Sequence, residues 1–313
     1  MGGECHPVPP WLHAVVHFGH RGRQRRRHHL LRWTGDRMAV DPRGGPVGVA
    51  GVNGAGYTPL GKALEGRAWD IEACLAAGAS AEDGLRRVVA LMAAVTNTEG
   101  PSAESPAAAR PEEADAIFGG SAASRLLREA LDACDTGPDG RAQHWVRVSR
   151  GGRPWERPIP AQFVAPDRAS PAPPAVKPFD YGLYTSTPLA AGYGMWRMYL
   201  DQYYGSDLFP LPWYIWRLAV PTTARVATVD DARGWARLVT AFPRVHDGWV
   251  YPDWARVAAR YDGVRLTFPA VVATQGIRLL TPHGPTAPGF WDVESTYWLR
   301  WRFTDAVLVT KTA

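Results

Sequence analysis

The sequence predicts an α+β fold preceded by a smaller helical segment. In the C-terminal half, short stretches of alternating apolar and polar residues, typical of half-buried strands, are interleaved with stretches whose apolar residues recur at helical spacing. Nine of the 14 tryptophans also lie there, so we expect the main core in that half. With 313 residues, 46% of them apolar, the chain is long enough for one large domain or two ordinary ones.

Composition argues against several classes of protein. No run of about 18 uncharged apolar residues occurs, so no membrane span is predicted. Prolines and histidines interrupt the short apolar run before Arg21, which makes a poor signal peptide. The three cysteines, Cys5, Cys74 and Cys134, fit neither a disulfide framework nor a tetrahedral metal site. We therefore expect a cytoplasmic protein, or one exported without a cleavable signal peptide.

A large part of the net charge of +5 comes from one basic segment, Arg21–Arg32. Residues 1–45 combine Pro, Gly, His and Arg without a sustained period, which predicts disorder. The arginine cluster suits weak, non-specific contact with nucleic-acid phosphates, and a solvated basic tail is the alternative.

Residues 54–83 predict two short helices joined by a turn. Pro59 opens the first helix behind Thr58 as N-cap, because proline needs no hydrogen-bond partner at that position. Residues 70–75 form the second helix, and Gly78 is expected to end it in a left-handed conformation.

These two helices and their Thr-Pro-Leu opening resemble one ankyrin repeat. Gly61 stands where that family usually has His, and no second repeat follows on either side. Stacked repeats bury their faces against neighbours. The resemblance implies a small ankyrin-like module, residues 46–95. A single repeat would pack on another part of the chain, and a degenerate remnant of a repeat or an ordinary helical hairpin are the alternatives.

Helical spacing continues on both sides of a predicted linker. Residues 96–113 are rich in Ser, Ala, Pro and Glu, which is typical of a linker. Residues 114–134 return to helical spacing and begin the α+β domain, assigned to residues 114–313. Before the linker, the helix over residues 85–95 has one apolar face, formed by Leu85, Val88, Val89 and Met92.

Two predicted strands frame a proline-rich loop. His144–Ser149 alternates and carries Arg147 near its centre, where an arginine either lies on an exposed face or reaches an anion. Residues 153–178 contain eight prolines, which predicts an extended loop. Gly182–Thr187 then forms a short strand of small hydroxyl residues.

Strands and capped helices alternate in the rest of the chain. The predicted elements are a helix within 190–204, strands over 213–220 and 225–229, a helix behind Asp230 or Asp231, a helix behind Asp253 and a strand over 264–268.

The last such stretch is Phe290–Phe303. Residues 297–303 alternate between aromatic or aliphatic side chains and arginines, as in a half-buried strand. Asp292 and Glu294 lie immediately before it. A lone acid there is usually solvated, but a carboxylate at a strand end is also well placed for chemistry.

Three polar pieces therefore follow one another along the chain: Arg147 on a strand, Thr185-Ser186-Thr187 on a second strand, and Asp292-Val293-Glu294 before a terminal strand. This order resembles the arginine, Ser-Thr-Ser, Glu-x-Glu signature of the arginine-type mono-ADP-ribosyltransferases, which include bacterial toxins. The resemblance covers about residues 142–312. It implies a split antiparallel β-sheet with flanking helices that clasps NAD, and a toxin-like or defence effector with an unknown acceptor.

The resemblance also implies catalytic roles. Glu294 would stabilise the oxocarbenium-like state that forms when the nicotinamide–ribose bond breaks, and would hold the ribose 2′-hydroxyl. Asp292, where the family more often has Glu or Gln, would orient or activate the acceptor. Ser186 and its neighbours would brace the glutamate.

Binding roles follow from the same resemblance. Arg147 would grip an NAD phosphate, for which a planar cation is suited, with Arg150 and Arg153 as alternatives. Thr185 and Thr187 would fix the rotamer of the glutamate by hydrogen bonds. Thr187 and Glu294 are about twice as far apart in sequence as in compact members of the family, which implies an insertion.

Two other functions remain open. A noncatalytic protein would bind a partner through the ankyrin-like hairpin and a tryptophan-rich face, with Glu294 paired structurally to Arg300 or Arg302. A glycosidase-like hydrolase would combine Asp292 and Glu294 with a further acid, either Asp253 or Asp262, and such a pair of carboxylates needs a defined separation across the sugar.

Overall fold

The computed structural model describes residues 59–98, 109–134, 142–148, 155–167, 174–178, 180–189, 192, 194–204, 209–275, 277–289 and 291–312. The predictions for residues 1–45, with Arg21–Arg32, and for Thr58, Arg150 and Arg153 lie outside these ranges. Within them, no helix has both the length and the apolar character that crossing a membrane requires.

The described residues form a mixed α+β fold, as the sequence predicts. In chain order the elements are α1 (Pro59–Ala76), α2 (Ala81–Thr98), α3 (Pro111–Gly119), α4 (Ala122–Cys134), β1 (Ala142–Val148), β2 (Leu183–Thr185), α5 (Met195–Asp201), β3 (Trp213–Ala219), β4 (Val226–Val229), α6 (Ala232–Ala241), β5 (Pro243–His246), β6 (Trp249–Pro252), α7 (Trp254–Arg260), β7 (Gly263–Leu266), α8 (Phe268–Thr274), β8 (Leu279–Thr281), β9 (Gly284–Thr286), β10 (Ser295–Trp298) and β11 (Asp305–Thr312).

Two main sheets organise the strands. One is antiparallel, with the order β1-β3-β11, and the other has the order β2-β10-β7-β4. In the second sheet β4 and β7 run parallel, so the predicted antiparallel pairing does not extend to these two strands. The chain between β4 and β7 contains α6 and α7, and a parallel pair requires such a crossover connection.

Among the described residues, one backbone bridge joins the two sheets. His144 of β1 and Ser186, which follows β2, exchange both backbone hydrogen bonds, at 2.8 and 2.9 Å. The end of β2 is therefore attached to β1 on one side, while β2 itself pairs with β10 on the other.

The N-terminal helices differ from the sequence prediction. Residues 59–76 form one continuous helix, so the turn that an ankyrin repeat requires between two short helices does not form. Gly66, near the expected turn, costs a helix only about 1 kcal/mol relative to alanine. Burial of Ala68 and Ile71 further along the helix offsets that cost.

Gly78 follows α1, but for a different reason than the one predicted. Its φ angle is not positive. A Cβ atom at this position would lie 2.5 Å from the backbone nitrogen of Gly84, so only glycine allows α1 and α2 to approach this closely.

Helical periodicity is confirmed for α2 and for the capped helices. The four residues predicted to share one face of α2 are buried. Asp231 caps α6 and Asp253 caps α7, each through a side-chain oxygen that accepts from a backbone N–H in the first turn.

One hydrophobic core extends from the N-terminal helices to the second sheet. Arg67 of α1 donates to the backbone oxygens of Val272 and Gln275 at the end of α8. Glu72 of α1 accepts from the backbone N–H of Ala123 in α4. Helices α1 to α4 therefore pack directly on the part of the molecule that carries the candidate site.

The stretch before the C-terminus is buried on both faces. Tyr297, Trp298 and Leu299 are each at most 1% exposed. The prediction of a half-buried strand is wrong here, because β10 lies between β2 and β7 in the sheet and packs on both sides. The strand also ends at Trp298, after which Arg300 and Arg302 leave the sheet.

Candidate active site

A cavity of about 660 Å³ lies between α3 and α4, the start of α6 and α8, and the polar end of the second sheet. Its volume falls within the range of sites that bind small ligands. Thr187, Arg265 and Glu294 line it from the sheet. The helical side and the loop before α6 contribute further charged groups, namely Asp115, Arg128, Asp132, Asp230, Asp231 and Arg233.

Glu294 lies immediately before β10 and is 5% exposed. Its Oε2 atom accepts from the Ser186 hydroxyl and from the Thr187 backbone N–H, both at 3.0 Å. Its Oε1 atom accepts from the Thr187 hydroxyl at 2.9 Å and from Arg265 Nε at 2.8 Å. Four donors therefore hold both oxygens of the carboxyl group in one orientation.

Strand register brings these donors together. Thr296 of β10 lies opposite Thr185 of β2 on one side and opposite Arg265 of β7 on the other. The residue just before β10 is consequently flanked by the residues that follow β2 and by the end of β7. Close neighbours across strands are the pairs that interact in a sheet.

We call the four donors and the Glu294 carboxyl group the clamp. A further chain of hydrogen bonds supports the hydroxyl donor Thr187 of this clamp. The indole N–H of Trp298 donates to Thr185 Oγ1 at 2.8 Å, and the Thr185 hydroxyl donates to the Gln143 side-chain oxygen. The Gln143 amide in turn donates to Thr187 Oγ1 at 3.1 Å. Since Thr187 Oγ1 already accepts from Gln143, its hydroxyl proton is directed toward Glu294.

The predicted hydroxyl residues thus divide into two roles. Ser186 and Thr187 contact Glu294 directly. Thr185 is fully buried and bonds to Gln143 and Trp298 instead, so it supports the glutamate only through this further chain of hydrogen bonds. Sequence reasoning missed Gln143, and no motif marks it.

Arg265 is the arginine that the structure places at Glu294. Its Nε atom binds the carboxyl group, and its side chain is 37% exposed and lines the cavity. Among the described residues its two terminal nitrogens form no hydrogen bond or ion pair. The sequence does hold a signal for this residue, an arginine between Val264 and Leu266 in a strand, of the kind that singled out Arg147.

Arg147 lies elsewhere and does not line the cavity. Its guanidinium group stands 5.0 Å from the Trp145 ring and donates to the backbone oxygen of Glu156 at 3.2 Å. Burial lowers the pKa of Arg147 from its ordinary value, although the charge of Glu156 opposes this. The structure therefore gives Arg147 local partners on β1 and in the loop after it.

Asp292 is also separated from the cavity. Its Oδ2 atom lies 3.7 Å from Lys177 Nζ, and both side chains are at most 8% exposed. Burial raises the pKa of Tyr199 well above its ordinary value, and the adjacent Asp292, which shares a hydrogen bond with it, adds to this. Asp292 and Glu294 would share a face in a strand, but residues 291–294 are not in a strand, and their side chains enter different surroundings.

The alternative pairings proposed from the sequence have other partners. Arg300 and Arg302 lie 3.9 and 3.4 Å from the carboxyl oxygens of Asp262, and neither pairs with Glu294. Asp253 caps α7. The tryptophans of the C-terminal half are largely internal, and Trp213, Trp235, Trp291 and Trp298 are fully buried.

Two further arginines face the cavity from the helical side. Arg233 pairs with Asp115 at 2.9 Å and with Asp231 at 3.7 Å. Arg128 bonds to the backbone oxygen and hydroxyl of Ser124 through Nε and one terminal nitrogen, and it forms no ion pair within the described ranges. Sequence reasoning missed Arg128, which looks like an ordinary polar position of an amphipathic helix.

No family model, curated protein or solved structure matches this chain. The geometry alone therefore defines what the site can do. The site offers the carboxyl group of Glu294, held by four donors in a cavity of small-ligand size, together with two arginines, Arg128 and Arg265, that retain nitrogens for an anion.

Proposed function

We propose that this protein is a mono-ADP-ribosyltransferase that consumes NAD and transfers ADP-ribose to an acceptor. The observation that carries the proposal is the clamp on Glu294, in which hydroxyl, backbone and guanidinium donors hold a buried carboxyl group at the wall of a cavity. The clamp contains residues from two of the three motifs that carry the sequence resemblance, the hydroxyl triplet and the acidic pair.

Glu294 would act on the ribose of NAD. As the C–N bond between ribose and nicotinamide breaks, its electron pair leaves with nicotinamide and neutralises the pyridinium ring, while positive charge develops on the ribose. A negative carboxylate beside C1′ stabilises that charge, and it is most effective when it is already oriented. The acceptor then bonds to C1′ and loses a proton.

The diphosphate of NAD would bind to Arg265 and Arg128. Arg265 holds Glu294 through Nε alone, so its terminal nitrogens can bridge to a phosphate oxygen, and a guanidinium fork suits such a contact. Both arginines line the cavity and Arg147 does not. We therefore assign the role that the sequence resemblance gave to Arg147 to these two residues.

The direct test is the release of nicotinamide from NAD. Glu294→Ala should lower the rate of release by about 10³-fold, because one positioned charge is removed from the transition state. The matched control is Glu129→Ala, which changes an exposed glutamate of α4 that does not line the cavity. Both variants should melt close to the wild-type temperature.

Equal release from the wild type and Glu294→Ala would rule out this role for the glutamate. If the wild type releases no nicotinamide with proteins, nucleic acids and small molecules offered as acceptors, the noncatalytic, partner-binding function becomes the better explanation.

A further inference from the structure

A buried lysine lies directly behind the candidate site. Lys177 is 3% exposed and lies within the proline-rich loop. Its Nζ atom lies 5.3 Å from the Tyr184 ring, 5.1 Å from the Trp196 ring and 5.9 Å from the Trp291 ring. Asp292 Oδ2 is 3.7 Å away.

Such an environment is unusual for a lysine. Burying an ammonium group is costly unless opposite charge or aromatic faces surround it. Burial lowers the pKa of Lys177, and the charge and hydrogen bond of Asp292 oppose that shift. The three rings and the aspartate together compensate the cost of burying this group.

Three of these four neighbours of Lys177 belong to the two chain segments that meet at Glu294, and the fourth, Trp196, lies on α5. Tyr184 lies on β2, two residues before Ser186. Trp291 and Asp292 lie three and two residues before Glu294. One buried cation therefore contacts both the segment that carries the carboxyl group and the segment that supplies its hydroxyl donors.

We infer that Lys177 is a positioning residue for Glu294, which draws the β2 segment and the Trp291–Asp292 segment together and so keeps Glu294 within reach of Ser186 and Thr187. Lys177 does not line the cavity, so it acts through the backbone of these two segments rather than on a substrate. Its effect on catalysis rests on the proposed function, whereas its effect on the clamp does not.

Amide hydrogen exchange tests the clamp without any reaction. The Thr187 backbone N–H donates to Glu294 Oε2, so its protection reports whether the carboxyl group is in place. In Lys177→Met we expect exchange at Thr187 to become about tenfold faster, with the amides that pair β5 and β6 unchanged. Lys311→Met is the matched control, because Lys311 also stands over an aromatic ring, Tyr214, but on exposed β11.

Removing one partner of a buried pair can prevent folding, because it leaves the other charge uncompensated. The double variant Lys177→Met/Asp292→Asn removes both charges and keeps the test usable. Unchanged protection of Thr187 in either variant that still melts cooperatively would overturn the inference. Faster exchange at Thr187 alone supports it.

Kinetics provide the second readout. If Glu294 is the catalytic carboxylate, Lys177→Met should lower kcat for nicotinamide release at least tenfold while KM for NAD stays within about twofold, and Lys177→Arg should recover part of the loss. A larger change in KM than in kcat contradicts positioning. If the wild type shows no release, the proposed function fails, and the exchange experiment still decides the role of Lys177.

Discussion

Two buried acids lie at opposite ends of the same pair of strands, β7 and β10. Ser295 pairs with Leu266 at one end of this ladder, next to Glu294, and Trp298 pairs with Gly263 at the other, next to Asp262. The side chains are buried to nearly the same extent, at 5% and 1% exposed. Burial and strand position therefore do not distinguish them.

Their partners do distinguish them. Asp262 accepts from the Arg225 backbone N–H at 2.8 Å, and the guanidinium groups of Arg225, Arg300 and Arg302 lie within 4.0 Å of it. It does not line the cavity. The Glu294 carboxyl group accepts hydrogen bonds from two hydroxyl groups, one backbone N–H and a single arginine, and it lines the cavity.

Asp262 therefore holds chain segments together, whereas Glu294 is held in one orientation at the cavity. The arginines around Asp262 join the start of β7 to the chain just before β4 and just after β10, which is a structural task. Small hydroxyl donors around Glu294 fix its orientation and leave room for a ligand, as a preorganised catalytic group requires. A buried acid thus indicates function only when its partners and its cavity agree.

The test with the largest expected effect replaces each of the two acids in turn and compares the effects on stability and on nicotinamide release. Asp262→Asn should lower the free energy of unfolding by about 3 kcal/mol, because the arginines lose their buried counter-charge, and should leave nicotinamide release per folded molecule unchanged. Glu294→Gln should have the opposite pattern, with release reduced about 10³-fold and stability changed by less than about 1 kcal/mol. Urea unfolding and initial rates measure both, and equal effects of the two variants would remove the distinction.

The second test compares two arginines. Arg265→Met should lower kcat/KM for NAD by about 10- to 100-fold, since it removes a charged hydrogen bond to Glu294 and the phosphate contact proposed for this arginine. Arg147→Met, which changes an arginine away from the cavity, should leave kcat/KM within about twofold. The reverse result would return the phosphate role to Arg147, as the sequence resemblance implied.

A smaller effect is expected for the hydroxyl donors. Ser186→Ala removes one of the two bonds to Glu294 Oε2 and should lower kcat about tenfold, with KM little changed. Ser80→Ala, which removes an exposed hydroxyl at the start of α2, serves as the control. If Ser186→Ala retains the full wild-type kcat, the hydroxyl clamp does not contribute to catalysis.

The smallest expected effect is on how the free energy of unfolding depends on pH, through a buried histidine near Glu294. His144, whose backbone is bonded to Ser186, is buried, and burial together with the charge of Arg217 lowers its pKa to about 4. Above about pH 6.5 the imidazole is neutral in both the folded and the unfolded chain. Between pH 6.5 and 4 only the unfolded chain gains the proton, so stability falls as the pH falls.

Urea unfolding at pH 7, 5.5 and 4.5 measures this dependence. The fall in stability should be smaller in His144→Gln and unchanged in His283→Gln, which replaces an exposed histidine. A slope that His144→Gln does not alter would assign the acid sensitivity to other groups.

The amino-acid sequence by itself determined the local features of this protein. The apolar face of α2, the acidic caps of α6 and α7, and the class of the fold all follow from short-range spacing and from hydrogen bonds within one helical turn. The selection of Glu294 and Ser186 as one site came from the family resemblance that the order of the polar pieces carries, and the structure brings these two side chains together.

Only the tertiary structure decided the rest. Arg265 rather than Arg147 meets Glu294 because β10 lies between β2 and β7, and this strand order depends on long-range pairing. Residues 291–294 are not in a strand, so Asp292 and Glu294 do not lie on the same face despite their two-residue spacing. Asp292 therefore pairs with Lys177 instead of lining the cavity. Contacts between distant segments depend on register and packing, which no local pattern specifies.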